Sequence, residues 1–183
     1  LRLDLDALVA AANRWRLELK RHQSLMRALA QEEARLQPLQ GRERSASADA
    51  PRHATLAVGH RSRPLRLERW IPQSPRADRT WVLMMPGLGG DPNHFHWLAR
   101  SLMQAGWPVL VLEHPGSDAA AVQGLLEGRQ SFDGAAALRD RLADLAAVLE
   151  AQQRGDLNIP GNEVVLMGHS LGALTALLAS GAE

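Results

Sequence analysis

The chain has 183 residues, 45% of them apolar and 22% charged, a globular composition with enough apolar mass for a real core. It has no cysteine, which excludes a disulfide framework and a thiolate metal site. No apolar run approaches the ~18 residues of a membrane span, and no signal-peptide pattern opens the chain at Leu1, which leaves the compartment open.

The net charge of +1 hides an asymmetry. Residues 1–50 carry nine basic and seven acidic groups, residues 51–79 seven and two, and residues 80–183 five and eleven. An Arg-rich 51–79 segment could meet an anionic partner such as nucleic acid. Its arginines alternate with apolar residues, however, so the solvated face of a hairpin is the better reading and no nucleic-acid role is expected.

In chain order, residues 4–36 predict one long helix. Leu5, Leu8, Ala12, Trp15, Leu19, Met26, Leu29 and Leu36 step by threes and fours, with His22 and Glu33 interrupting the stripe. This first unit, 1–37, is read as an amphipathic helix that lies on its own domain or meets a partner. Residues 38–53 are rich in Ser, Ala, Pro and Arg and read as a linker. Thr55–Val58 and Leu65–Trp70 predict a hairpin.

From Arg79 onward strands and helices alternate. Trp81–Met85, Val109–Leu112 and Val164–Met167 are continuous apolar runs. Asp91-Pro92 predicts a helix start, with Phe95, Leu98, Ala99 and Leu102 on its apolar face and Gly106 at its end. Residues 135–153 predict a second helix, with Leu138, Leu142, Leu145, Ala146 and Leu149 on one face. Strands apolar on both faces, separated by helices, imply a mostly parallel sheet covered on both sides. Residues 113–134 read as a long connection after a strand's carboxyl end, where such folds place their sites.

Two motifs carry chemistry. Gly168-His169-Ser170-Leu171-Gly172 is a G-x-S-x-G pentapeptide between an apolar run and a small-residue helical pattern. That context presents a serine on a sharp strand-to-helix turn, with the glycines keeping side chains away. The alternative is a serine that only caps the helix. The second motif, Met85-Pro86-Gly87-Leu88-Gly89-Gly90, follows the first parallel strand. Attack on a carbonyl develops negative charge on its oxygen, and backbone N–H groups must already point at it. The N–H groups of Leu171 and Leu88 are the candidate donors. A phosphate loop is excluded, because the motif lacks the G-K-[ST] ending and Lys20 is the chain's single lysine.

Together with Phe95-His96-Trp97-Leu98-Ala99 and Glu113-His114-Pro115-Gly116-Ser117-Asp118, these motifs make residues 54–183 resemble the α/β-hydrolases. The nearest branch in resemblance contains dienelactone-hydrolase-like proteins and platelet-activating-factor acetylhydrolases. The resemblance implies an incomplete α/β-hydrolase three-layer sandwich preceded by the long helix. It also implies a serine hydrolase acting on a small ester or related acyl substrate, with no cofactor or metal. Ser170 would be the nucleophile. Pro86 stands where the family usually has His, which leaves the Leu88 donor intact but loses a side-chain contact. Gly87, His114 and Asp118 are possible site-loop residues. His114 is the best substitute base within the chain, and Asp118 is expected to order a loop. His94 and His96, two apart on a helix, do not suggest a metal site. His169 is expected to pack on the neighbouring loop. An inactive scaffold or interaction protein, and an acyltransferase, remain alternatives.

The resemblance also implies that the triad histidine and acid follow later strands, beyond Glu183. The chain is therefore expected to hold the N-terminal half of the domain, to be inactive alone, and to leave Val164–Met167 as an apolar sheet edge.

Overall fold

The computed structural model describes residues 50–129 and 131–182. The long helix expected over 4–36, the first unit 1–37 and residues 38–49 of the 38–53 linker lie outside the described residues; the linker's last two residues, Arg52 and His53, belong to a strand.

Five strands form one sheet in the order β1-β2-β4-β3-β5. They are β1 (Arg52–Leu56), β2 (Leu65–Trp70), β3 (Thr80–Met85), β4 (Val109–Glu113) and β5 (Glu163–Gly168). β1–β2 and β2–β4 pair antiparallel, while β3–β4 and β3–β5 pair parallel, so only β2 runs against the others. Among the described residues, the helices α1 (His96–Gln104), α2 (Ala119–Leu126) and α3 (Gly134–Gln153) lie between strands, and α4 (Leu171–Ala179) follows β5.

The central strands divide their side chains between two cores, as a two-residue period requires. Trp81, Leu83 and Met85 of β3, with Leu110 and Leu112 of β4, pack with Leu145, Val148 and Ala151 of α3 and Ala176 of α4. Val82, Met84, Val109 and Val111 point to the other face and pack with Ala99 and Met103 of α1. Helix, sheet and helix therefore make three layers. At one edge β5 leaves Val164 and Val165 36% and 43% exposed. No helix among the described residues is long and apolar enough to cross a membrane.

Several expectations are corrected. The hairpin forms, but its first strand is Arg52–Leu56, not Thr55–Val58. Leu56 pairs with Leu65, and the chain leaves the ladder there because His60 and Arg61 turn down onto Asp144 of α3. Asp91 does cap its segment, accepting from the Asn93 N–H at 2.8 Å, but the first turn, Pro92–Phe95, is a 3-10 helix before α1 begins. The 113–134 connection contains α2. The buried face of α3 is rotated from the expected stripe: Ala146 is exposed, while Arg141 and Asp144 are buried beside Leu145 and Val148.

The arginines of 51–79 do not form a uniformly solvated face. Arg61 bonds Asp144 and Asp140, Arg63 bonds Asp118, and Arg66 faces Glu113 at 3.4 Å. Three of the segment's seven arginines thus meet carboxylates of residues 80–183.

Candidate active site

The sheet register assembles the site. Met85, the last residue of β3, pairs with Gly168, the last of β5. The glycine-rich loop after β3 and the pentapeptide after β5 thus leave the sheet side by side. The His169 N–H donates to the Met85 carbonyl at 3.2 Å and ties the two exits together.

Ser170 has φ 53° and ψ −119°, a conformation that a residue with a side chain adopts only under constraint. It occupies the N-cap position of α4, yet its side chain makes no capping hydrogen bond, and the residue is exposed. A capping serine normally sits in the extended region and accepts from the helix's first turn. The flanking glycines are required by crowding. A Cβ at Gly172 would run into the Met85 carbonyl, and one at Gly168 would run into the backbone of Gly172 and Ala173. A Cβ at Gly87 would lie 2.9 Å from Ser170 Cβ, so the glycine-rich loop abuts the serine directly.

The two candidate donors lie on either side of this contact. Leu88 follows Gly87 in the loop. Leu171 opens α4, where the first N–H groups have no acceptor within the helix. Neighbouring amides hold the loop's shape: Gly90 N–H donates to Gly87 O at 3.1 Å, and Gly89 N–H donates to Ser117 O at 2.8 Å. His169 is exposed, with its ring Nδ1 3.5 Å from where a Gly87 Cβ would stand.

Beneath the loops lies a polar cluster that the sequence reading missed. Arg141 of α3, 1% exposed, donates from Nε to Thr175 Oγ1 at 2.9 Å, from one terminal nitrogen to Ser117 Oγ at 2.7 Å, and from the other to the Pro86 carbonyl at 2.6 Å. Thr175 Oγ1 in turn donates to Leu171 O at 2.8 Å. Burial pulls the Arg141 pKa down to about 10, which leaves it charged at neutral pH. Its signal in the sequence was the 3–4 spacing of Arg141, Asp144, Leu145, Val148 and Ala151, passed over because two of the five are charged.

His114 is enclosed. Its Nδ1 lies 2.9 Å from Asp144 Oδ2, and its Nε2 is buried without a hydrogen-bond partner. Burial, outweighing the Asp144 contact, lowers its pKa to about 4, so the ring is neutral at pH 7. Asp144 is fully buried; burial would raise its pKa, but hydrogen bonds from His114 and Arg61 hold it at about 2. Asp118 orders its loop: it caps α2 through the Ala121 N–H at 2.9 Å and meets Arg63 at 3.1 Å. His94 is exposed, whereas His96 bonds Glu68 at 2.7 Å and stacks edge-on against Trp70. Among the described residues, no group of three His, Asp or Glu side chains could hold a metal ion.

No family model matches the sequence, and no curated protein matches it. Solved structures do. A ferulic acid esterase from Streptomyces cinnamoneus aligns with a TM-score of 0.58 at 17% identity, over 72% of this chain and 54% of that one. A lipase in its open form aligns at 0.52 and 20% identity, over 72% and 40%. The native esterase 2 of Thermogutta terrifontis aligns at 0.50 and 16% identity, over 70% and 43%. The fold is that of the α/β-hydrolases. The chain spans about half the length, or less, of these solved structures. Within this α/β-hydrolase architecture, Ser170, Gly87, Leu88 and Leu171 lie together at the carboxyl ends of β3 and β5, while His114 lies under the surface, against α3.

Proposed function

We propose that the chain carries the nucleophile and oxyanion half of a serine hydrolase that cleaves carboxylic esters or related acyl bonds. The observation that carries this reading is Ser170 itself: exposed, strained at φ 53°, free of any capping bond and set against Gly87. A residue held at that cost, of order 1–3 kcal/mol, marks a constrained functional position. That the similar solved structures are esterases and a lipase supports an acyl ester as the substrate class. The resemblance to dienelactone-hydrolase-like proteins and platelet-activating-factor acetylhydrolases is the finer form of the same reading.

In this mechanism Ser170 Oγ attacks the substrate carbonyl carbon, and its proton passes to a general base. The resemblance implies a histidine for that role, on a loop after a later strand. The carbonyl oxygen gains the negative charge and receives hydrogen bonds from the N–H groups of Leu88 and Leu171. Collapse expels the alcohol, which takes up the proton, and leaves Ser170 acylated. Water then attacks the acyl group by the same route and restores the serine. Each backbone donor contributes because it is stronger toward the oxyanion than toward the ground-state carbonyl, and losing one such donor typically costs ~10²–10³ in turnover.

Labelling with a fluorophosphonate probe tests the reading. In a protein that carries this chain together with the general base, Ser170 should be modified, and Ser170→Ala should abolish the modification. Undiminished labelling of the Ala variant would remove Ser170 as the nucleophile.

A further inference from the structure

Arg141 makes three hydrogen bonds to three separate segments, and each segment bears on one of the two candidate oxyanion donors. Pro86 opens the glycine-rich loop two residues before Leu88. Ser117 accepts from Arg141 through its hydroxyl, while its carbonyl accepts from the Gly89 N–H, next to Leu88. Thr175 lies one turn into α4, and its hydroxyl holds the carbonyl of Leu171. We infer that Arg141 is a positioning residue, whose guanidinium fixes the separation and orientation of the Leu88 and Leu171 N–H groups. The inference rests on the hydrolase reading above and adds to it a component that no sequence motif marks.

The choice of residue follows from geometry. A guanidinium is a planar fork with five N–H donors at fixed angles, so it holds three acceptors in one relation to each other. A lysine ammonium is a single point on a flexible stem and cannot reach all three. None of the three partners is a carboxylate. Hydroxyls and a carbonyl offer less than an acid would to a buried cation, so ion pairing alone does not explain the residue. The whole side chain is buried from solvent, and its three hydrogen bonds go to Thr175, Ser117 and Pro86, which separates positioning from direct contact with substrate.

The test uses Arg141→Lys in a protein that carries this chain together with the general base, with Thr175→Val and Thr175→Ser as a milder pair in case the first fails to fold. Two readouts are taken: steady-state hydrolysis of a 4-nitrophenyl acetate probe, and amide hydrogen exchange of segments 86–90 and 169–175. A misplacement of about 1 Å in catalytic geometry can cost ~10²-fold. Arg141→Lys should therefore lower kcat by roughly 10–100-fold with KM changed less than about threefold. Exchange should quicken in both segments and stay unchanged in β4. Thr175→Val should follow the same direction, and Thr175→Ser should restore both readouts. A folded Arg141→Lys with native kcat and native exchange overturns the inference, as does a loss confined to KM, or a Thr175→Ser no better than Thr175→Val. If that unsubstituted protein, with its general base, shows neither Ser170 labelling nor turnover, the hydrolase reading fails. The exchange data then still decide whether Arg141 clamps the two segments.

Discussion

A serine at φ 53° between two glycines shows how much a short sequence can impose. Gly168 and Gly172 are needed because backbone from β3 and from α4 fills the space a side chain would take. Gly172→Ala should destabilise the fold by about 1–3 kcal/mol, the range for inserting a methyl into a packed site, as read by urea denaturation. An Ala variant as stable as the native protein would mean that the Met85 carbonyl is not where the register puts it. The pentapeptide was legible in the sequence because this crowding leaves only glycine at fixed spacing. Arg141 was not, since a charged residue on an apolar helix stripe gives no sign of whether it turns inward or snorkels out. Three acceptors from three distant segments decided that, and none of them is near Arg141 in the chain.

Among the elements, α2 and α3 departed most from their sequence patterns. α2 was hidden in a run read as connection, though Asp118 before Ala119-Ala120-Ala121 is a capping residue before good helix formers. Asp118→Ala should cost about 0.5–2 kcal/mol through loss of the cap. The pair with Arg63 adds little, because Arg63 is 62% exposed. Amide exchange across Ala119–Leu126 should rise in the variant, and unchanged protection there would show that the cap does not hold the helix. α3 was found with its length nearly right and its buried face right in part: Leu145 is in the core and Leu149 packs against it, but Ala146 is exposed. Counting apolar residues selected the Leu138, Leu142, Leu145, Ala146 and Leu149 stripe, whereas the fold also buries Arg141, which finds Thr175, Ser117 and the Pro86 carbonyl, and Asp144, which finds Arg61 and His114. The apolar runs of β3 and β4 were read correctly because both faces of a central strand are covered, so nothing in their pattern depends on distant residues.

For the molecule as a whole, the buried cluster around Asp144 joins the β1–β2 loop, the end of β4 and α3, and it makes the fold acid-sensitive. An unfolded chain protonates its histidine near pH 6.5, but folded His114, its charged form disfavoured by burial and by Arg141 and Arg61 more than Asp144 favours it, resists until about 4. Between those values the unfolded state binds more protons, so stability rises with pH and is lost as pH falls from about 6.5 to about 4, by up to ~1.4 kcal/mol per unit. Asp144 has the opposite charge but acts in the same direction: its contribution is full above the ordinary 3.8 and disappears as pH falls through about 2. Denaturant titrations between pH 4 and 7 should show this slope, and His114→Gln should flatten it; an unchanged slope in the variant would assign the acid sensitivity elsewhere. The sequence by itself determined the strand–helix alternation, the hairpin, the serine turn and the glycine-rich loop. These follow from local rules: side-chain periodicity, caps, and the space that only glycine leaves. Only the tertiary structure decided which charges go inside, that Arg61, Arg63 and Arg66 meet carboxylates of residues 80–183, and that Arg141 spans the two loops. A charge is buried only where distant partners compensate its desolvation, and chain separation carries no record of who those partners are.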